Sequence, residues 1–193
     1  MIFRRSLVLT AVTLLLLAGC SRHTLLTVEA DVLSFLSDEE RAGEFSLAAD
    51  EYLLPDEEGL TAEQLGVPAQ MLEGLEGLTL DFSAAITSNA ATGSEEVAAS
   101  FHISDSSDAS PFDSPAIAST SVSLEPGETE QLTFAVEVSD SVNPDALATL
   151  KSGDFRLGVR LEYVAGPSAS GVDYRLDDVT ISITVRPGNL LPF

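Results

Sequence analysis

The chain has 193 residues, with nine lysines and arginines against 31 aspartates and glutamates, and a formal charge of −22 at pH 7. This balance argues against nucleic acid as a partner, because phosphate binding needs clustered basic side chains. The length is sufficient for one domain with a sizeable apolar core, since a domain of about 150 residues buries roughly 70% of its unfolded surface.

The N-terminus has the pattern of an export signal. Arg4 and Arg5 form a short basic region, and an apolar run follows from Leu7 to Gly19. A basic region, a short apolar stretch and small residues before a cleavage point are typical of export signals. A permanent transmembrane anchor is the first alternative, but the run is shorter than the roughly 20 residues that a spanning helix needs.

The signal ends in Leu17-Ala18-Gly19-Cys20, which resembles the lipobox of bacterial lipoproteins. The resemblance implies that residues 1–19 are cleaved, that Cys20 carries a lipid of two or three acyl chains, and that residues 20–23 form a tether. Two or more acyl chains anchor a protein stably to a membrane. Cys20 is the only cysteine, so it has no disulfide partner within the chain. The remaining alternative is a plain secretory signal with a chance cysteine. We expect attachment to the cell membrane or outer membrane, on the extracytoplasmic side.

Residues 24–193 are predicted to form a single all-β domain with one insertion. Apolar and polar residues alternate from Leu26 to Val32, as in a half-buried strand. Residues 37–76 are acidic and do not alternate, so they are interpreted as an insertion with one or two short helices. Thr61 with Gln64 is typical of a helix start, and Pro68 could open a second helix.

After Gly77 the period-two pattern returns, interrupted by a short helix predicted from Asn143-Pro144 to Leu150 and ended by Gly153. The segment Val122–Phe134 resembles a hairpin of bacterial immunoglobulin-like modules, with a type II turn at Glu125–Glu128. Turn signals between short strands predict an antiparallel immunoglobulin-like β-sandwich of about seven to eight strands. The later strands are predicted at Leu78–Thr87, Val97–Ile103, Ala118–Leu124, Leu132–Val138, Phe155–Tyr163 and Val172–Arg186.

Catalytic chemistry has little support in the sequence. The two histidines are His23, in the tether, and His102, on the polar face of a predicted strand. A Ser-His-Asp triad needs an acid that orients the histidine and a serine that is hydrogen-bonded to that histidine. Serines and acids are so abundant here that their presence indicates nothing, and we expect His102 to be a solvated strand residue. No G-x-S-x-G or H-E-x-x-H motif occurs. The chain is therefore expected not to be an enzyme.

Calcium is the one cofactor that the sequence suggests, since calcium takes six to eight oxygen ligands, mainly from carboxylates and carbonyls. Two local groups of aspartates are candidate ligands, although neither matches the twelve-residue calcium loop. Solvated surface charge is the alternative interpretation of both groups. The first group is Asp105, Asp108 and Asp113, and the second is Asp173, Asp177 and Asp178.

The C-terminal segment is apolar, and its Leu190, Leu191 and Phe193 either pack against the sandwich edge or form a docking peptide. Together these features predict a non-enzymatic structural or interaction module of the cell envelope. Its partners would be the membrane, through the lipid on Cys20, and another envelope protein. The alternative is a lipoprotein that binds a small ligand, a glycan or calcium.

Overall fold

The computed structural model describes residues 25–45, 50–105, 110–164 and 170–186. The predictions for the export signal, for Cys20 and its tether, for Asp108 and for Leu190, Leu191 and Phe193 therefore lie outside the described residues. Within the described ranges, no helix combines the length and the hydrophobicity that crossing a membrane requires.

The domain is an antiparallel β-sandwich, which confirms the predicted fold class. The described residues form ten strands and not the seven to eight predicted, because the insertion contributes three short ones. The domain has two sheets, each with five strands. The first sheet contains β1 (Leu26–Asp31), β2 (Ala42–Phe45), β5 (Leu75–Ser88), β8 (Thr129–Ser139) and β10 (Val172–Val185). The second sheet contains β3 (Asp50–Leu54), β4 (Leu60–Thr61), β6 (Glu95–Ser104), β7 (Ala116–Leu124) and β9 (Arg156–Val164).

The two sheets have the same plan. In the first, the order is β1-β10-β5-β8, and β2 pairs with the part of β10 that β1 leaves free. In the second, the order is β3-β9-β6-β7, and β4 pairs with β9 beside β3. A turn over Glu125–Glu128 joins β7 to β8 and connects an edge of one sheet to an edge of the other. Gly127 has φ 73° there, as the predicted turn requires. The two strands lie in different sheets and do not pair with each other, so the hairpin predicted at Val122–Phe134 was wrong.

The core lies between the sheets and follows the alternation of the sequence. In β9, Leu157, Val159, Leu161 and Tyr163 are buried, and Glu162 between the last two is exposed. Because successive side chains of a strand point to opposite faces, one face of each sheet covers the core and the other faces outward.

The insertion at residues 37–76 is only partly helical. Its helix, α1 (Ala69–Leu72), begins after Pro68 as predicted. The backbone N–H of Thr61 donates to the Gln64 side chain at 2.9 Å, but this reciprocal cap starts a turn rather than a helix. The insertion also supplies the short strands β2, β3 and β4. Strands of two to five residues are too short to show a clear period of two.

The predicted helix after β8 is present as α2 (Pro144–Ser152). It follows Asn143, and Gly153 ends it with φ 81° in the left-handed region that glycine tolerates best. Its buried residues Ala146, Leu147 and Leu150 join the core, so α2 closes one end of the sandwich. Two 3₁₀ turns, at Val32–Phe35 and Pro111–Asp113, complete the described elements.

Candidate functional site

His102 is buried, and the prediction that it is solvated was wrong. It lies on the outward face of β6, but only 4% of its surface is exposed. The 3₁₀ turn Pro111–Asp113 covers it, and the edge of the Phe112 ring meets the imidazole with 5.5 Å between centroids. A break in the β6–β7 register falls between Phe101 and His102. The outward face of a strand is thus not always a solvated face.

Both ring nitrogens of His102 have partners. Nδ1 lies 2.8 Å from the carbonyl oxygen of Ser114, and Nε2 lies 2.8 Å from Oγ of Ser100. Because a carbonyl oxygen can only accept, Nδ1 carries the hydrogen, and Nε2 of the neutral ring accepts from the Ser100 hydroxyl. Burial lowers the pKa of His102, and the charge of Arg160 lowers it further, while the bond to Ser114 acts in the opposite direction. The ring is therefore neutral at pH 7.

The Ser100–His102 pair has the hydrogen-bond order of an activated serine, with a backbone carbonyl where a triad has an acid. Its surroundings favour a structural role. Arg160 packs over the Phe112 ring at 5.4 Å and donates to the Phe112 carbonyl at 3.1 Å. The guanidinium is also paired with Glu51 at 3.3 Å. These contacts of Arg160 hold the 3₁₀ turn over His102. We therefore interpret the Ser100–His102 pair as a structural attachment of the same turn to the second sheet.

Glu95 forms a second buried polar cluster at the other end of β6. Only 2% of Glu95 is exposed, and its carboxylate accepts hydrogen bonds from the Ser88 hydroxyl at 2.5 Å and the Tyr163 hydroxyl at 2.6 Å. The backbone N–H of Ser170 also donates, at 3.2 Å. Ser88 belongs to the first sheet, whereas Glu95 and Tyr163 belong to the second. The cluster therefore joins the two sheets.

The electrostatics of Glu95 follow from these donors. Burial raises the pKa of its carboxyl, but the hydrogen bonds from Ser88, Tyr163 and the backbone of Ser170 and Gly171 together lower the pKa below its usual value. Burial and the adjacent carboxylate raise the pKa of Tyr163 to about 12. The result is a charged glutamate beside a neutral tyrosine at pH 7. Because these donors occupy the carboxylate, we interpret the cluster as structural.

Two candidate calcium ligands of the first group fall within the described residues. Asp105 follows the end of β6 and is exposed. Asp113 lies in the first turn of the 3₁₀ segment Pro111–Asp113 and is also exposed. With Asp108 outside the described ranges, this group stays a prediction.

The second group lies on β10, and two of its members have partners within the chain. Asp177 is 3.0 Å from the Arg175 guanidinium, and Asp178 accepts from the Thr180 hydroxyl at 2.7 Å. Asp173 pairs in register with Thr87 of β5. No set of three or more histidine, cysteine, aspartate or glutamate side chains that could hold a metal ion occurs in the parts of the chain that the structure describes. Calcium binding at these residues stays a prediction.

Described residues line at least two surface clefts. The larger, about 460 Å³, lies between the insertion and the end of α2. The smaller, about 250 Å³, lies on the first sheet, where Asp81 and Asp178 flank Ser83 and Thr133. The larger cleft, named the insertion groove here, is lined by Ala62, Glu63, Gly66, Val67, Pro68, Ala69, Leu72 and Gly153.

Comparison with known proteins gives no family. No family model matches the chain, and no curated protein matches it. Solved structures of low similarity include infectious bursal disease virus, Gt strain, with 10% identity over 86% of this chain and 33% of that chain, at a TM-score of 0.40. Another is the arabinose-bound MgGH51 α-L-arabinofuranosidase, with 8% identity over 74% of this chain and 23% of that chain, at 0.35.

The coat protein of tobacco streak virus is also similar, with 13% identity over 89% of this chain and 92% of that chain, at a TM-score of 0.29. The chain spans about a third of the length of the bursal disease virus chains that it matches. None of these likenesses is close enough to carry an argument about function.

Proposed function

We propose that this protein is a lipoprotein of the bacterial cell envelope, anchored on the extracytoplasmic side of a membrane, and that it works as a non-enzymatic interaction module. The observation that carries the proposal is the sequence Leu17-Ala18-Gly19-Cys20 at the end of an apolar run, with Cys20 as the only cysteine. A lone thiol in an exported chain lacks a disulfide partner, and a thioether to lipid gives it a defined role.

The spacing between Cys20 and the first strand supports a domain that sits close to the bilayer. β1 begins at Leu26, so an extended connection would reach at most about 20 Å at roughly 3.5 Å per residue. Leu25, Leu26 and Val142 are large apolar residues that are exposed. Leu26 pairs with Val185 at the end of the first sheet, and Val142 follows the end of β8 that pairs with Gly77 at the same end. This end would face the membrane.

The two buried polar clusters support the non-enzymatic part of the proposal. His102 and Glu95 are the described groups most suited to acid–base chemistry, yet the partners of both are within the protein. A catalytic base must reach a proton of the substrate. The side chains that cover His102 occupy the space from which a substrate would approach.

A small-ligand-binding lipoprotein is the second candidate, and the insertion groove favours it. Its volume falls within the range of about 300–1,000 Å³ that is usual for ligand sites, and Val67, Pro68 and Leu72 give it apolar walls. An apolar ligand that raises the melting temperature of the native protein, but not that of a Gly66→Trp variant, would support this candidate. Gly66 lines the groove, and the space beside its backbone is open.

Detergent phase partition tests the anchored state. Full-length protein, expressed in a bacterial host, is extracted in Triton X-114, and the Cys20→Ala and Ser21→Ala variants are treated in the same way. We expect the native chain and Ser21→Ala to enter the detergent phase, and to incorporate a labelled palmitate analogue. Cys20→Ala should incorporate none. Equal labelling of all three, or no labelling of the native chain, would contradict the proposal.

A further inference from the structure

The edge strand β7 is unusual for so acidic a chain. Its residues Ala116–Leu124 read A-I-A-S-T-S-V-S-L and include no charged side chain. It pairs with β6 on one side, and no other strand among the described residues pairs with its second side. A strand in this position offers free N–H and C=O groups to another chain.

The other edges of the sandwich carry charges that discourage such pairing. Charged side chains are one of the common ways in which proteins protect an edge strand. The edge strands of more than two residues other than β7 each contain at least one acid: Glu29 and Asp31 in β1, Glu44 in β2, Asp50 and Glu51 in β3, and Glu130 and Glu137 in β8. Among the described edge strands of more than two residues, β7 is therefore the one that no charged side chain protects.

The side chains of β7 indicate which strand would fit beside it. Every second residue faces the core, and three of these are only half-buried, because the sheet ends at this strand. In a further strand, apolar residues opposite these half-buried side chains would cover them, and the alternate residues of that strand would lie beside the exposed serines. The half-buried residues are Ala118, Thr120 and Val122, and the exposed serines are Ser119, Ser121 and Ser123.

The charges at the two ends of β7 select the partner further. Glu96, Glu125 and Glu128 surround its C-terminal end, and Asp105 and Asp113 lie near its N-terminal end. A strand with lysine or arginine at both ends would complement these acids. A second copy of this chain, paired antiparallel, would instead bring its own acidic turn towards Asp113, and like charges would repel at both ends.

We propose that the exposed edge of β7 binds an extended segment of another envelope protein, in which apolar residues alternate with small polar ones and lysine or arginine stands at each end. The bound segment would extend the second sheet by main-chain hydrogen bonds, and the contacts of its side chains with those of β7 would give specificity. This inference rests on the proposed function as an interaction module, and it names the class of partner.

Hydrogen–deuterium exchange on the full-length protein in detergent micelles tests the inference. The probe is a synthetic peptide that has lysines at both ends and alternating valine and threonine between them. We expect added peptide to slow exchange in residues 116–124 and to leave β1 and β8 unchanged. The same peptide N-methylated at every amide of its valine and threonine residues keeps its charge but cannot donate a hydrogen bond from either edge, so it should give no protection.

A matched pair of double variants tests the charge selection. Glu96→Gln with Glu125→Gln removes two charges beside β7, and Glu29→Gln with Glu137→Gln removes two from the first sheet. We expect the first pair to weaken peptide binding about two- to tenfold and the second to change it little.

Three results would overturn the inference. They are no protection of β7 by the peptide, equal protection by its N-methylated form, and protection of β7 that grows with protein concentration in the absence of peptide. The last would identify a second copy as the occupant. Failure of palmitate labelling, with β7 still protected by the peptide, would overturn the lipoprotein proposal and leave the strand-binding edge standing.

Discussion

The two buried polar clusters on β6 are buried to a similar degree, but they differ in charge state and in structural role. Glu95, at the start of the strand, is charged and joins the two sheets through Ser88 and Tyr163. His102, near its end, is neutral and fastens a 3₁₀ turn to the outside of one sheet. The first cluster stabilises the sandwich itself, and the second stabilises only its cover. Substitutions at Glu95 should therefore affect global unfolding, and those at His102 mainly the local opening of residues 110–114.

The largest expected effect is that of Glu95→Gln. The amide keeps the size of the side chain but replaces one acceptor oxygen with a donor, which leaves buried donors without partners. We expect a loss of about 3 kcal/mol in the free energy of unfolding, measured by chemical denaturation. Glu96→Gln, at the exposed neighbouring position, is the control and should change stability by less than about 0.5 kcal/mol. Equal effects of the two variants would contradict the role given to Glu95.

Acid should weaken the same cluster. Because the pKa of Glu95 in the folded protein lies below the ordinary value of 4.5, the unfolded state takes up its proton first as the pH falls. The stabilisation is thus complete above about pH 5 and is lost as the pH falls through the folded pKa. We expect the melting temperature of the native protein to fall more steeply from pH 6 to pH 3 than that of Glu95→Gln. Parallel curves would show that Glu95 does not titrate as described.

Gly158→Ala should displace the 3₁₀ turn that covers His102, with a smaller loss of stability than Glu95→Gln. An added Cβ would lie 2.6 Å from the Phe112 ring and 2.9 Å from the Leu54 carbonyl oxygen, so the 3₁₀ turn must move. We expect a cost of about 2 kcal/mol, by the usual scale of overpacking, and faster amide exchange in residues 110–114. Gly66→Ala is a useful contrast, since open space surrounds that position, although its φ of 70° adds strain. Unchanged exchange in 110–114 would contradict the proposed packing.

The smallest effect concerns the protonation of His102. Burial is the main reason that its pKa lies below the ordinary 6.5, so the unfolded or opened state binds a proton more readily. Its contribution to stability is therefore present above about pH 6.5 and decreases below it. We expect residues 110–114 to open more often at about pH 5.5 than at about pH 7.5, after correction for intrinsic exchange rates. His102→Gln should remove this dependence, and persistence of the dependence would assign it to another group.

The sequence predicted the sandwich well because its evidence was local. The alternation in β5, β6, β8, β9 and β10 and the helix after Asn143 depend on neighbouring residues, and the structure has each of them. The buried clusters depend instead on contacts between distant segments. The donors to Glu95 include Ser170, which is 75 positions away, and the cover of His102 comes from a turn after β6.

Because the burial of Glu95 depends on contacts with distant segments, the sequence alone could not distinguish it from Glu96. Glu95 and Glu96 are adjacent, and nothing in the local pattern separates the one that is 2% exposed from its exposed neighbour. Most of the described acids are exposed or half-buried, so composition alone does not show that Glu95 is buried. His102 presented the converse difficulty, because strand alternation correctly placed it outward but could not show that another segment covers it.

Intact mass spectrometry of the mature protein, extracted from membranes at native expression level, tests the central claim most directly. The account predicts a chain that begins at Cys20 and carries the added mass of two or three acyl chains and their glycerol on that residue. A mature chain that begins at another residue, or one that begins at Cys20 with no added lipid, would contradict the lipoprotein assignment.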